Sequence, residues 1–235
     1  MNIAKDFSKL ETKNFNLKFE NKELLKRAFV HRSYLNENPG CGLKHNERLE
    51  FLGDAVLELS ITKYLFSKYP NPEGELTMWR AALVNSKILA KVGKRLKFSD
   101  YLLLSKGETK DTKRARQFIL ANTFESVVGA IYMDQGFEKA DEFIKKNLTI
   151  ELPKILKEKL YEDPKSKLQE LAQGKIGITP TYEILEESGP DHAKRFIIGV
   201  FLEDRQIAKG EGPNKQSAQE KAAKAAIKKK SWEQN

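Results

Sequence analysis

The stretch ERLEFLGDAVLELSITKYLFSKYP, residues 47–70, constrains the fold most, because its apolar residues keep helical spacing until Pro70 forbids another turn. Glu47, Glu50 and Asp54 stand at i, i+3 and i+7, so at about 100° per residue they share one narrow stripe. Leu52, Ala55, Val56 and Leu59 form a second stripe, expected to be the face turned to a core. Like charges one turn apart cost a helix a few tenths of a kcal/mol per pair. Something must offset that repulsion, and a bound cation is the obvious candidate.

The rest of the chain sets bounds on this helix. An apolar share of 40% in 235 residues supports one large or two ordinary packed domains. No apolar run approaches the ~18 residues of a membrane helix. The opening MNIAKDFSKLETKNF has no apolar signal core, and Cys41 is the single cysteine. A disulfide framework and a thiolate zinc cluster are therefore excluded, Cys41 with His45 being too few ligands, and a reducing cytoplasm is the expected setting. The net charge of +9 points to a polyanionic partner. Most of the first part's excess comes from residues 80–116, and a second basic group, Lys215 to Lys230, crowds the last helix.

Two segments differ in pattern. Residues 1–150 read as helices: NKELLKRAFVHRSY, the acidic helix, GELTMWRAALVNSKILAKVGKRL, and QFILANTFESVVGAIYMDQG stopped near Gly136. Residues 151–161, with their charge and Pro153, read as a connecting helix and linker. From 162 to 231 the order becomes α-β-β-β-α: a helix capped by Asp163, strands TYEILEE, RFIIGVFL and RQIAKGEG, then an Ala-rich helix. Residues 232–235 are a tail. The fold class is thus multidomain, an all-α domain followed by a small α+β domain.

A second acidic element lies in ILANTFESVVGA, where Asn122 and Glu125 stand three apart, off the apolar face of Leu120, Phe124, Val128 and Ile131. Packed against the first helix, it would aim Glu125 into the space of Glu50 and Asp54. Carboxylates, an amide oxygen and water are the hard ligands Mg²⁺ prefers. An ion so held activates a water and steadies the leaving oxygen of a phosphodiester.

HNERLEFLGDAVLELSI resembles the signature of the bacterial ribonuclease III family, endonucleases that cut double-stranded RNA. HRSYLNE, EGELTMWRAALVNSKILA, YLLLSKGE and ILANTFESVVGAIYMDQGF match the same family's nuclease domain in order and spacing. PKSKLQELAQ, PTYEILEESGPDHAKRF and the last helix resemble its double-stranded RNA-binding domain. The resemblance implies a dimerising nuclease domain in 1–150 and an RNA-binding domain in 162–231. It implies Mg²⁺, with Mn²⁺ as an alternative ion, held by Glu50, Asn122, Glu125 and Asp54, with Asp54 and Glu125 as the catalytic pair and Glu47 as a further active-site acid. Asn122 departs from the Asp usual in the family. The family acts as a homodimer, leaves 5′-phosphates, 3′-hydroxyls and short 3′ overhangs, and processes ribosomal RNA precursors, messenger RNA and other structured RNAs.

In the tail domain the same resemblance assigns Gln169 and Glu170 to one minor groove of the duplex, His192 to another, and Lys215 to a phosphate. Two other classes compete with a nuclease. A catalytically weakened or inert dsRNA-binding relative is favoured only by Asn122, and a structural DNA-binding protein leaves the acidic helix unexplained.

Overall fold

The computed structural model describes residues 6–109, 113–190 and 194–232, and it divides into two compact units, the first ending at Tyr161 and the second beginning at Glu162. The first is helical. A π-turn, Leu10–Phe15, precedes α1 (Lys22–Ala28), α2 (Arg32–Glu37), α3 (Glu47–Lys68), α4 (Glu73–Leu83), α5 (Ser86–Arg95), α6 (Lys106–Thr109), α7 (Lys113–Leu148) and α8 (Leu152–Lys157).

Polar side chains explain where the expected helices divide. NKELLKRAFVHRSY forms two helices, because the His31 ring takes the Ser33 N–H at the start of α2 and Val30 bridges to Leu103. The next long pattern breaks at Asn85, whose extended backbone and side chain cap α5 through the Ile88 N–H at 3.0 Å. At Gly136 the expected stop is a kink: φ of +83°, which glycine adopts without strain, redirects α7 while the helix resumes to Leu148.

The face of α3 differs from its sequence reading. Its buried residues are Leu49, Gly53, Val56, Leu57, Ser60, Ile61 and Leu65. Ala55 is exposed and Leu59 is 56% exposed, so neither belongs to the core, and Leu52 is only half-buried. The buried arc is centred near Gly53 and Ser60, about 90° from the acids and not opposite them. That rotation lets Glu50 sit at the edge of the core, and leaves Phe51, Leu59 and Phe66 on an outer apolar stripe.

Residues 151–161 are not a free linker. Leu152 and Ile155 are buried in the first unit's core, and the Tyr161 ring lies 6.1 Å from Trp79. Glu151, itself buried, accepts from Lys91 at 2.5 Å and Arg95 at 3.1 Å, tying this segment to α5.

In the second unit Asp163 caps α9 (Pro164–Ile176), followed by the antiparallel sheet β1 (Thr181–Ser188), β2 (Arg195–Leu202), β3 (Arg205–Gly212) and α10 (Lys215–Lys230). Ala218, Ala222, Ala223 and Ala226 are buried on α10, because small side chains let the helix lie close on the sheet. A methyl on Gly210 of β3 would come within 2.2 Å of the Ala222 nitrogen, so that position accepts only glycine without a shift.

Candidate active site

The site begins with a backbone contact. Where α3 crosses α7, a Cβ on Gly53 would stand 1.8 Å from the Glu125 carbonyl oxygen, and one on Gly129 would stand 2.1 Å from that of Leu49. Glycine inside a helix costs roughly 1 kcal/mol relative to alanine, and here it permits the two backbones to touch. The start of α3 is held as well: the buried Asn46 amide donates to the Ala28 carbonyl at 3.2 Å. These glycines are the functional positions that residue chemistry alone overlooks. Their signal is an isolated Gly in each of two strongly helical patterns, FLGDAV and VVGAIY.

The crossing gathers Glu50 and Asp54 of α3 with Asn122 and Glu125 of α7. Glu50 is half-buried, which raises its carboxyl; the Asn122 amide across the crossing lowers it; Glu47 and Asp54 raise it again. Burial pushes the Glu125 carboxyl up to about 8, reinforced by the charges of Asp54 and then Glu50. Three acids thus repel one another across two helices whose backbones hold them in place. Asp54 is exposed at the rim. Glu47 is exposed, with the Arg32 guanidinium and the His45 ring each 3.6 Å from its carboxylate, so Arg32 partly answers its charge.

No three His, Cys, Asp or Glu among the described residues are already drawn into a chelating cage. The site nevertheless fits a hard divalent ion. Its donors are oxygen, its charges are uncompensated, and Mg²⁺ keeps several waters and needs only one or two carboxylates.

The basic surface of 80–116 is smaller than its composition implies. Arg80 is paired with Glu58 at 2.8 Å, and Lys91 and Arg95 are committed to Glu151. Lys87, Lys94, Lys97, Lys106 and Arg114 remain exposed. Lys106 begins a short helix whose backbone N–H donates to the Glu37 carboxylate at 3.0 Å.

In the second unit Gln169 and Glu170 are exposed on α9, and Lys215 is exposed at the first position of α10. Lys165 of α9 donates to Gln219 of α10 at 2.7 Å, so the helices are joined near these groups. The Lys215 ammonium lies 5.9 Å from the Phe196 ring centroid, at a helix start capped by Asn214. His192 lies outside the described residues.

Comparison with known proteins agrees with this two-part plan. Residues 21–152 match the Ribonuclease-III-like family and residues 164–230 match the double-stranded RNA binding motif. The chain is 45% identical to Ribonuclease 3 of a Nitratiruptor species, over 92% of this chain and 93% of the relative. It is also 45% identical to Ribonuclease 3 of Leptospira interrogans, over 91% and 86%. The nuclease domain of ribonuclease III from Campylobacter jejuni, a structure concerned with flexibility in a region involved in dimer formation, superposes with a TM-score of 0.54 at 38% identity. It covers 61% of this chain and 99% of that domain. The acid-bearing helical unit and the α-β-β-β-α unit that follows it in the sequence therefore place this chain in the ribonuclease III family.

Proposed function

We infer that the protein is an endoribonuclease that hydrolyses double-stranded RNA, dependent on Mg²⁺ with Mn²⁺ as a substitute. The observation that carries this reading is the α3–α7 crossing, which presents Glu50, Asp54 and Glu125 as one repelling group in a chain that also carries a duplex-RNA motif. Glu50, Asp54 and Glu125 would hold the ion, with Asn122 beside them. When bound, Mg²⁺ supplies an activated water and stabilises charge on the leaving oxygen. The chain's own residues do the rest. Asp54, at the rim, takes a proton from the attacking water on its carboxylate. Glu125, backed by the buried face of α7, keeps the orientation of the site while substrate enters.

Products with 5′-phosphate and 3′-hydroxyl ends and short 3′ overhangs require two cuts, one per strand, which suits a symmetric pair of sites. The outer stripe of α3 supports a homodimer. Phe51 is 83% exposed, Leu59 56% and Phe66 79%, an apolar run that a lone domain rarely leaves in water. Centred near Leu59 with a Phe toward each end, the stripe is self-complementary about a twofold axis. Gln169, Glu170, His192 and Lys215 are proposed as the duplex-reading residues of the second unit. Ribosomal RNA precursors and other structured RNAs, in the cytoplasm, are the proposed substrates. No helix among the described residues is long and apolar enough to cross a membrane.

The test is a gel comparing duplex RNA, single-stranded RNA and duplex DNA with and without Mg²⁺. Cleavage of duplex RNA alone, only with the ion, is expected. Binding of duplex RNA with no cleavage in any metal would replace this reading by the inert RNA-binding one.

A further inference from the structure

We propose that Lys165 is a further phosphate-binding residue of the second unit, its ammonium held ready by Gln219 and Tyr182 where α9 meets α10. This rests on the duplex-RNA reading above and adds to it a cation supplied by α9. Lys165 is the second residue of α9 and is half-buried. Its ammonium donates to the Gln219 side-chain oxygen at 2.7 Å and stands 5.1 Å from the centroid of the Tyr182 ring. Gln219 follows Lys215 by four residues, so the two share one face of α10. Gln169 follows Lys165 by four residues on α9 in the same way. The ammonium therefore lies where the face of α9 that carries Gln169 meets the face of α10 that carries Lys215.

What holds this ammonium is neutral. In the first unit Arg80, Lys91 and Arg95 are each paired with an acid, which answers their charge. Among the described residues no carboxylate forms an ion pair with Lys165. The acid nearest in sequence, Asp163, is occupied by the Lys165 backbone N–H at 3.3 Å and the Ser166 hydroxyl at 2.8 Å. An amide oxygen and a ring face steady a cation without cancelling its charge. An ammonium carries three donors, and Gln219 takes one of them. The remaining donors and the whole charge suit an oxyanion. A lysine free in water loses rotamer freedom when it binds, and Gln219 and Tyr182 have already imposed that order here. With Lys215 exposed on the same face as Gln219, two cations from different helices meet a duplex backbone together.

The experiment titrates the full-length protein with a duplex RNA in chelator, across a salt series, beside thermal melts. Lys165→Gln removes the charge and keeps a group able to bond Gln219. It is expected to weaken binding about three- to tenfold at physiological salt and to reduce the slope of log affinity against log salt by about one. Lys165→Arg should restore that slope. Gln219→Leu frees the ammonium without removing it, so it should weaken binding by less and leave the slope as in wild type. A Lys165→Gln variant that keeps the wild-type slope overturns the proposal, whether or not its affinity falls, and leaves Lys165 as a link between helices only. Where Lys165→Gln also lowers the second unit's melting transition, Gln219→Leu decides, because it cuts the same link and keeps the cation. A slope lost there as well overturns the proposal, and a slope retained supports it. A wild type that does not bind duplex RNA removes the duplex-RNA reading, and this inference with it, before any variant is compared.

Discussion

The α3–α7 crossing and the second unit's exposed groups are built in opposite ways. At the crossing, backbones touch at Gly53 and Gly129, Glu50 is half-buried, and the charges of Asp54 and Glu50 push the Glu125 carboxyl up. Gln169, Glu170 and Lys215 stand exposed on helix surfaces. The first arrangement is cooperative and fragile, because moving one helix moves every charge relative to the others. The second is additive: a lost phosphate contact weakens binding by its own share and leaves the rest in place. Chemistry demands fixed geometry, whereas recognition of a polyanion of regular shape does not.

The sharpest way to break this contrast is Glu125→Gln. The amide keeps the shape and removes a charge the ion needs, so cleavage should fall by at least about 10²-fold, as when other charge-stabilising groups are removed from active sites. Duplex RNA should still shift on a gel. Near wild-type cleavage in Mg²⁺ would show that the crossing is not the reactive centre.

Two glycine variants compare the units directly. Gly129→Ala forces a methyl toward the Leu49 carbonyl, 2.1 Å away, and overpacking of this kind costs roughly 1–3 kcal/mol or more. It should lower both the first unit's melting temperature and the cleavage rate, since the acids separate with the backbones. Gly210→Ala places a methyl 2.2 Å from the Ala222 nitrogen and should loosen the second unit. Duplex affinity should then fall while the first unit's melting transition holds. Equal losses of both activities in both variants would mean the units do not divide the work.

A pH series refines the comparison. Burial and the neighbouring charges raise the Glu125 carboxyl from 4.5 to about 8 in the folded, metal-free protein. The folded state therefore holds the proton more tightly than the unfolded one. Stability from this group is complete below pH 4.5 and is lost as pH rises through about 8. With the site partly open to solvent, the loss amounts to roughly 2 kcal/mol. Melts in chelator should show wild type losing stability between pH 5 and about 8, Glu125→Gln losing less, and Mg²⁺ restoring only wild type. Parallel slopes for the two proteins would place the repulsion elsewhere.

The smallest expected effect belongs to the second unit. Lys215→Ala should weaken duplex RNA binding evenly across sequences and reduce the slope of log affinity against log salt by about one. An unchanged slope would remove Lys215 from the phosphate contacts.

Much of this organisation was legible in residue patterns. The change from helical to alternating spacing near Asp163 marks the second unit, because side-chain periodicity is local and survives without tertiary context. The acids at 47, 50 and 54 were legible for the same reason: helical spacing alone puts them on one stripe. Tertiary packing decided which way that stripe faced. Ala55 and Leu59 looked like core and lie outside it, since the glycine contact at Gly53 turned the buried arc beside the acids. It decided that Leu152 and Ile155 belong to a core and not a linker, and that Lys91 and Arg95 answer the buried Glu151 and are not free surface charge. Above all it decided that Glu125, about seventy residues along the chain from Asp54, shares its electrostatic field. The sequence by itself determined which residues carry charge and at what period; only the folded contacts determined which charges meet, because proximity between distant segments depends on which faces are small enough to touch.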